Sequence, residues 1–262
     1  MGLSLLFFAC KKPAPNTIAN LCPETFDVNT QMIIGAAVNQ HIKNDPDNFP
    51  ILSETTYQEA YQYLNQLFFS MVNTEPVTVN GNHYDWHINI IDNDSMRTAF
   101  FVPGGEFYIY TGMLKFLDAE HQLLTIIAHE LYYASSELIP ETIKEKEIVK
   151  CIQLGDIILG RDIPESADIA AALPTMSFET SAVMEADSFA IDILCPFLYE
   201  PLGIREIILK ASESIETLHW LQYRSANIEY RIQEASRMAA PCDLGGVRNE
   251  DAYLDFLFNM LP

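Results

Sequence analysis

Apolar positions recur at helical spacing from Val28 to about Lys43, with Met32, Ile33, Ala36 and Ala37 among them, until the prolines of "NDPDNFP" end the helix. A second helix is predicted from Ser53, where "SETT" offers an N-cap, through "YQEAYQYLNQLFFSMV" to about Val72. The period then changes from helical to alternating. In "HYDWHINIID", Trp86, Ile88 and Ile90 fall on one face and His87, Asn89 and Ile91 on the other, which predicts a strand. "TAFFVPGGEFYIYTG" reads as a short apolar strand, a Pro-Gly-Gly turn, and a second strand from Glu106 to Tyr110. Leu123, Leu124, Ile126, Ile127 and Leu131 return to helical spacing, placing His129 on a buried helix. Everything beyond reads as helices, broken near Pro140, Gly160–Pro164, Pro174, Pro196–Gly203 and Pro241–Gly246. The pattern therefore predicts an α+β fold, mostly helical, with one small sheet.

Composition narrows the function classes. The chain has 262 residues, 49% of them hydrophobic, enough for one substantial core. Its formal net charge is −21, which disfavours nucleic acid and anionic lipid surfaces, since phosphate binding rests on Lys and Arg. No segment is long enough to span a bilayer. "MGLSLLFFAC", followed by "KKPAPNT", resembles a bacterial lipoprotein signal peptide ending at an acylated Cys10, although Met1–Ser4 carry no Lys or Arg. The expected organisation is a signal peptide over residues 1–10, a tether over 11–25 and one domain over 26–262. The implied location is the bacterial cell envelope, lipid-anchored and facing the periplasm. Lys11 in place of an aspartate after the lipidated cysteine resembles outer-membrane sorting. Of the remaining cysteines, Cys22, Cys151, Cys195 and Cys242 permit three disulfide pairings in an exported protein, beside the alternative of buried free thiols.

The candidate chemistry lies in "AHELYY", residues 128–133. His129 and Glu130 open the pattern H-E-x-x-H, in which two histidines one helical turn apart hold zinc and the glutamate activates water. The fifth position is Tyr133. A lone His-Glu pair on an apolar helix is more often a satisfied core pair, so context has to carry the reading. Collinear with it stand "NIIDNDSMRTAFFVPGGEFYIYTGMLKF", "DAEHQLLTIIAHELYY", "MEADSFAIDIL" and "EYRI". In that order these segments resemble the zinc metallopeptidases that include the CAAX prenyl proteases and the periplasmic beta-barrel assembly-enhancing proteases. The resemblance runs from about Phe26 to Met238 and implies a zincin-like fold with a small sheet beside the active-site helix.

The resemblance also implies where zinc would sit, and the departures fall there. Family members bind it through both motif histidines and a glutamate four residues before the Asp of "EAD". By that register His129 is the only retained ligand, and Tyr133 and Val183 occupy the other two positions. The family's later His-Pro corresponds to Ser225 and Ala226. Catalytic zinc needs three protein ligands. A phenol with a pKa of about 10 is a reluctant ligand, and valine offers none. Glu130 is then a vestigial general base. A displaced site built from His129, Glu137 and Glu179 would need ligands moved by a helical turn, about 5.4 Å. His121 matches an acidic helix-start position and is expected to be exposed, and His219 is expected to be packed or solvated.

The retained residues are expected to serve as follows. Asp187 matches the carboxylate that orients a ligand histidine, and is expected to survive as a buried partner of His129. Arg231 is expected to pair with Glu130 or another cleft carboxylate. Gly104 and Gly105 suit a tight turn, and the strand Phe107, Tyr108, Ile109 and Tyr110 corresponds to the edge that pairs with extended substrate in the family. The expected function is a metallopeptidase-like envelope lipoprotein without zinc, binding an extended polypeptide client along that edge without cutting it. Two alternatives stand beside it: an active zinc metalloendopeptidase with an atypical site, and a structural lipoprotein whose cleft is closed by Tyr133 and Val183.

Overall fold

The fold is that of a computed structural model, which describes residues 20–21, 28–74, 77, 84–136, 138–145, 152–153, 165–215, 217–224, 227–242 and 245–262. Cys10, Cys22, Glu137, Cys151, Ser225, Ala226 and most of the expected tether lie outside the described residues.

Helices α1 (Val28–Asn44) and α2 (Gln58–Val72) form close to their predicted spans. The second begins later than Ser53 because the preceding segment is drawn onto the sheet. Leu52 N donates to Ile90 O at 2.9 Å, Asp92 N to Pro50 O at 2.8 Å, and the amides of Thr56 and Tyr57 turn back onto Ser53 O. Helix α2 then buries Ala60, Tyr61, Leu64, Leu67, Phe68 and Met71, one stripe at helical spacing.

The predicted strands appear as β2 (His87–Ile91), β3 (Ala99–Val102) and β4 (Glu106–Tyr110). Their order is β2-β4-β3, with β4 parallel to β2 and antiparallel to β3. This corrects the reading of Phe107, Tyr108, Ile109 and Tyr110 as an edge. Strand β4 is central, registered from His87↔Glu106 to Ile91↔Tyr110 on one side and from Val102↔Glu106 to Ala99↔Ile109 on the other. Its ladder groups are taken by both neighbours, so no further strand can add to it. The outer strands are covered too. The Pro50–Leu52 segment bridges β2, and β3 is buried along its length.

The turn between β3 and β4 needs its glycines for structural reasons. Gly104 and Gly105 have φ of +97° and +119°, and a Cβ on Gly105 would lie 2.4 Å from Asp85 O.

The helical remainder comprises α3 (Thr111–Phe116), α4 (Glu120–Ser135), α5 (Leu138–Glu145), α6 (Glu165–Ala172), α7 (Thr180–Leu194), α8 (Gly203–Glu213), α9 (His219–Tyr223), α10 (Ile228–Ala239) and α11 (Glu250–Asn259). One departure is the two-residue strand β5 (Ile152–Gln153), antiparallel to β1 (Asn20–Leu21). Helix α4 is buried on nearly every side, with α7 as its principal helical neighbour and α2, β3 and α8 also against it. A disulfide joins Cys195, at the end of α7, to Cys242, after α10. Among the described residues no helix is long and apolar enough to cross a membrane.

The start of α4 departs from expectation in an informative way. His121 is fully buried, not exposed. Its Nε2 lies 2.9 Å from Glu206 on α8, which also accepts from Gln122 at 3.1 Å and from both terminal nitrogens of Arg248 at 2.7 and 2.8 Å. Burial pushes the Glu206 carboxyl up, but the hydrogen bonds from His121, Arg248 and Gln122 more than reverse this and hold it at about 2. A depressed folded-state pKa contributes stability above the ordinary value of 4.5, and that contribution fades as pH falls from 4.5 towards 2. Glu206→Gln is therefore expected to lower stability near neutral pH by about 1–2 kcal/mol, a figure discounted for partial exposure. In urea melts, the gap between parent and variant should close as pH approaches 2. An unchanged gap in acid would rule this network out as the source.

Candidate active site

Helices α4 and α7 bring the motif residues together. His129 and Tyr133 stand one turn apart on α4, and Val183 and Asp187 one turn apart on α7. All four are fully buried, as are Glu130 and Arg231. The motif residues singled out from the sequence thus lie on two packed helices and are buried.

The carboxylates are fully engaged. Trp220 Nε1 on α9 donates to Glu130 Oε1 at 2.8 Å, and Arg224 Nη2 to Glu130 Oε2 at 3.1 Å. Arg231 on α10 grips Asp187 with both prongs, Nε to Oδ2 and Nη2 to Oδ1, each at 2.8 Å. Arg231 pairs with Asp187 and not with Glu130, and its Nη1 donates to Arg224 O at 2.9 Å. Burial raises the Glu130 carboxyl, and the Arg224 charge and then His129 bring it below the usual range. Asp187 is likewise raised by burial and then lowered further by His129 and Arg231. Both carboxylates are therefore ionised at neutral pH, each opposite a guanidinium.

His129 fares differently. Its Nε2 lies 3.3 Å from Asp187 Oδ1 and its Nδ1 3.7 Å from Glu130 Oε1, yet neither nitrogen makes an aligned hydrogen bond. The expected Asp187–His129 hydrogen bond has given way to the Arg231 grip. The imidazole ring is instead packed edge-on between Trp220 and Tyr133, with ring centres 4.6 and 5.2 Å away. Tyr133 stacks on Phe178 at 4.0 Å, and its hydroxyl has no hydrogen-bond partner. Burial keeps that hydroxyl protonated, far above its ordinary range.

Sequence reasoning missed Trp220 and Arg224. Arg224 is 2% exposed. Its Nη1 donates to Met176 O, and its guanidinium carbon lies 5.2 and 4.8 Å from the centres of the Tyr133 and Phe178 rings. The available signal was Arg224 standing immediately before Ser225, where relatives carry His-Pro, one turn after Trp220. Glu179 is exposed at the start of α7 and joins no displaced site. His219 is half-buried and accepts a hydrogen bond from Arg97 N at 3.2 Å.

A helix-borne His-Glu pair, an aspartate from a facing helix and a three-stranded sheet alongside resemble the HExxH metallopeptidases, with Tyr133 in place of the second histidine. The model of peptidase family M48 matches residues 62–194, and the chain belongs to that family. It is 26% identical over 161 residues to the beta-barrel assembly-enhancing protease of Escherichia coli K12, covering 57% of this chain and 32% of that one. It is 39% identical over 49 residues to zebrafish mitochondrial metalloendopeptidase OMA1, covering 19% of this chain and 10% of the relative. It is 24% identical over 117 residues to the Arabidopsis mitochondrial metalloendopeptidase OMA1, covering 44% and 24%. The matched segments thus span a third or less of these relatives.

The family is one of zinc peptidases, but the donors here do not fit zinc. Among the described residues no group of three or more His, Cys, Asp or Glu side chains could hold a metal ion. The unpartnered His129 nitrogens and Tyr133 hydroxyl would supply one imidazole and one protonated phenol. Both Glu130 oxygens and both Asp187 oxygens are committed to cationic or N–H donors. Two donors fall short of the three a catalytic zinc needs, and two guanidinium groups repel a dication.

Proposed function

We propose that this chain is a proteolytically silent member of the M48 family, acting in the bacterial cell envelope by binding another protein and not by cutting it. The observation that carries this reading is the state of Glu130. The residue that should activate water is fully buried, and its two oxygens are bound by Trp220 and Arg224. A general base must reach the proton it removes, and here no oxygen of Glu130 is free. Relatives named for beta-barrel assembly, together with the lipoprotein-like start, support the envelope as its place. Because β4 is paired on both sides, Phe107–Tyr110 is not proposed as the client-binding edge.

The test pairs elemental analysis of the purified protein with cleavage of an unfolded casein substrate, with and without a chelator. Substoichiometric metal and no chelator-sensitive cleavage are expected. About one zinc per chain, lost in His129→Ala and accompanied by cleavage that Glu130→Gln abolishes, would overturn the reading.

A further inference from the structure

Resting on the metal-free reading above, we infer that the Arg224 guanidinium is the resident cation of this site, taking over the charge of the family's metal ion, with Val183 as its coupled partner. The charge count motivates the step. In the ligand set the family implies, a divalent ion and Arg231 face three carboxylates: Glu130, Asp187 and a glutamate at position 183. The buried group is neutral. In this chain Arg224 and Arg231 face Glu130 and Asp187, and the group is neutral again. Trading an ion and one carboxylate for a guanidinium and a valine leaves the balance unchanged. Either half of the trade alone leaves one net charge buried, negative if only the cation is exchanged and positive if only the carboxylate is lost, and both are strongly unfavourable.

The surroundings of Arg224 fit a built cation site. One terminal nitrogen meets Glu130, the other meets Met176 O, and the Tyr133 and Phe178 rings lie within cation–π range. Tyr133 thus supplies an aromatic wall where the family has a ligand imidazole. Three departures from the family pattern, at 133, 183 and beside the missing His-Pro, follow from one change of cation.

Thermal unfolding of the full chain and its variants tests this. Arg224→Ala should lower Tm by about 10 °C or more. Guanidinium chloride at tens of millimolar should restore much of the loss, while equal sodium chloride should not. Should Arg224→Ala fail to fold, Arg224→Met/Glu130→Gln, which removes both charges together, should fold with Tm close to the parent's. A second arm uses zinc chloride alone. Tyr133→His/Val183→Glu/Arg224→Ala should gain a zinc-dependent rise in Tm, whereas Tyr133→His/Val183→Glu with Arg224 kept should gain none. The inference falls if Arg224→Ala melts with the parent, if both salts rescue it equally, or if the double charge removal fails to fold. Zinc bound to the parent would instead overturn the metal-free reading, so the two failures are distinguishable.

Discussion

Asp187→Ala is expected to lower the stability of the fold by about 3–5 kcal/mol, the usual consequence of stripping one partner from a buried ion pair. Arg231 is fully buried, and two of its donors at 2.8 Å end on Asp187. Without the carboxylate, a guanidinium is left with only Arg224 O among its hydrogen-bond partners and Trp220 beneath it, the ring centre 5.5 Å away. Asp187→Asn keeps one acceptor oxygen but loses the charge, so it should lie between parent and alanine variant. Asp187→Ala/Arg231→Met should recover most of the loss, because removing both charges restores a neutral interior. Urea melts of the four proteins measure this directly. A loss below about 1 kcal/mol in Asp187→Ala would mean that Arg231 finds water, and would overturn the account of this cluster as a sealed ion pair. The same experiment separates two roles for Asp187. If it served mainly to orient His129, as the resemblance implies, then the double variant would remain as unstable as the single one. The geometry favours Arg231, since the His129 contact is 3.3 Å long and poorly aligned.

Local periodicity made much of the fold legible. The strand around Ile88 and Ile90 and the helices α1, α2 and α4 form where the periodicity places them. However, α1 turns Ile34, Val38 and Ile42 inward and leaves Met32 and Ala36 exposed, and α4 is buried nearly all round. Strand order was not legible by the same means, because alternation says which face is buried and not which neighbour sits alongside. A signal existed nonetheless. "FYIY" at 107–110 is apolar or aromatic throughout and buried at all four positions, the mark of a strand covered on both faces and not of a solvated edge. At the site, His129 and Glu130 were singled out by the opening of the motif, and Tyr133, Val183 and Asp187 by the register of the family that the sequence resembles. Arg224 and Trp220 were not, because their approach to Glu130 spans 94 and 90 residues and depends on the packing of a five-residue helix. His121 was misplaced for the same reason. Its burial is made by Glu206, 85 residues on, and by Arg248, whose carbonyl accepts the His121 amide at 3.4 Å. Charge and helix position suggested solvent, and the tertiary partners decided otherwise.

Gly35→Ala is expected to destabilise the protein by about 3 kcal/mol or more, against the direction that helix propensity alone would give. Gly35 lies within α1, where alanine would normally be favoured by about 1 kcal/mol. A Cβ at this position, however, would lie 1.5 Å from Pro103 O, in the turn between β3 and β4. That is a bonding distance, and relief would require the helix and turn to separate by about 2 Å to reach ordinary contact. The obstacle is backbone, so no side-chain rotation removes it. Separation would expose the packing of α1 against the sheet, including Ile34 and Val38, both buried in the core. Ala36→Gly supplies the control. Ala36 is exposed, so this change should cost about 1 kcal/mol through propensity alone. Comparing the two by urea denaturation isolates the close approach. If Gly35→Ala were neutral or stabilising, α1 would not be seated on the Pro103 turn, and the Pro-Gly-Gly segment would need another explanation. If it destabilises as expected, that segment is preserved because it is where a helix backbone meets a sheet turn. Its retention in a member of a peptidase family then says nothing for or against peptide binding.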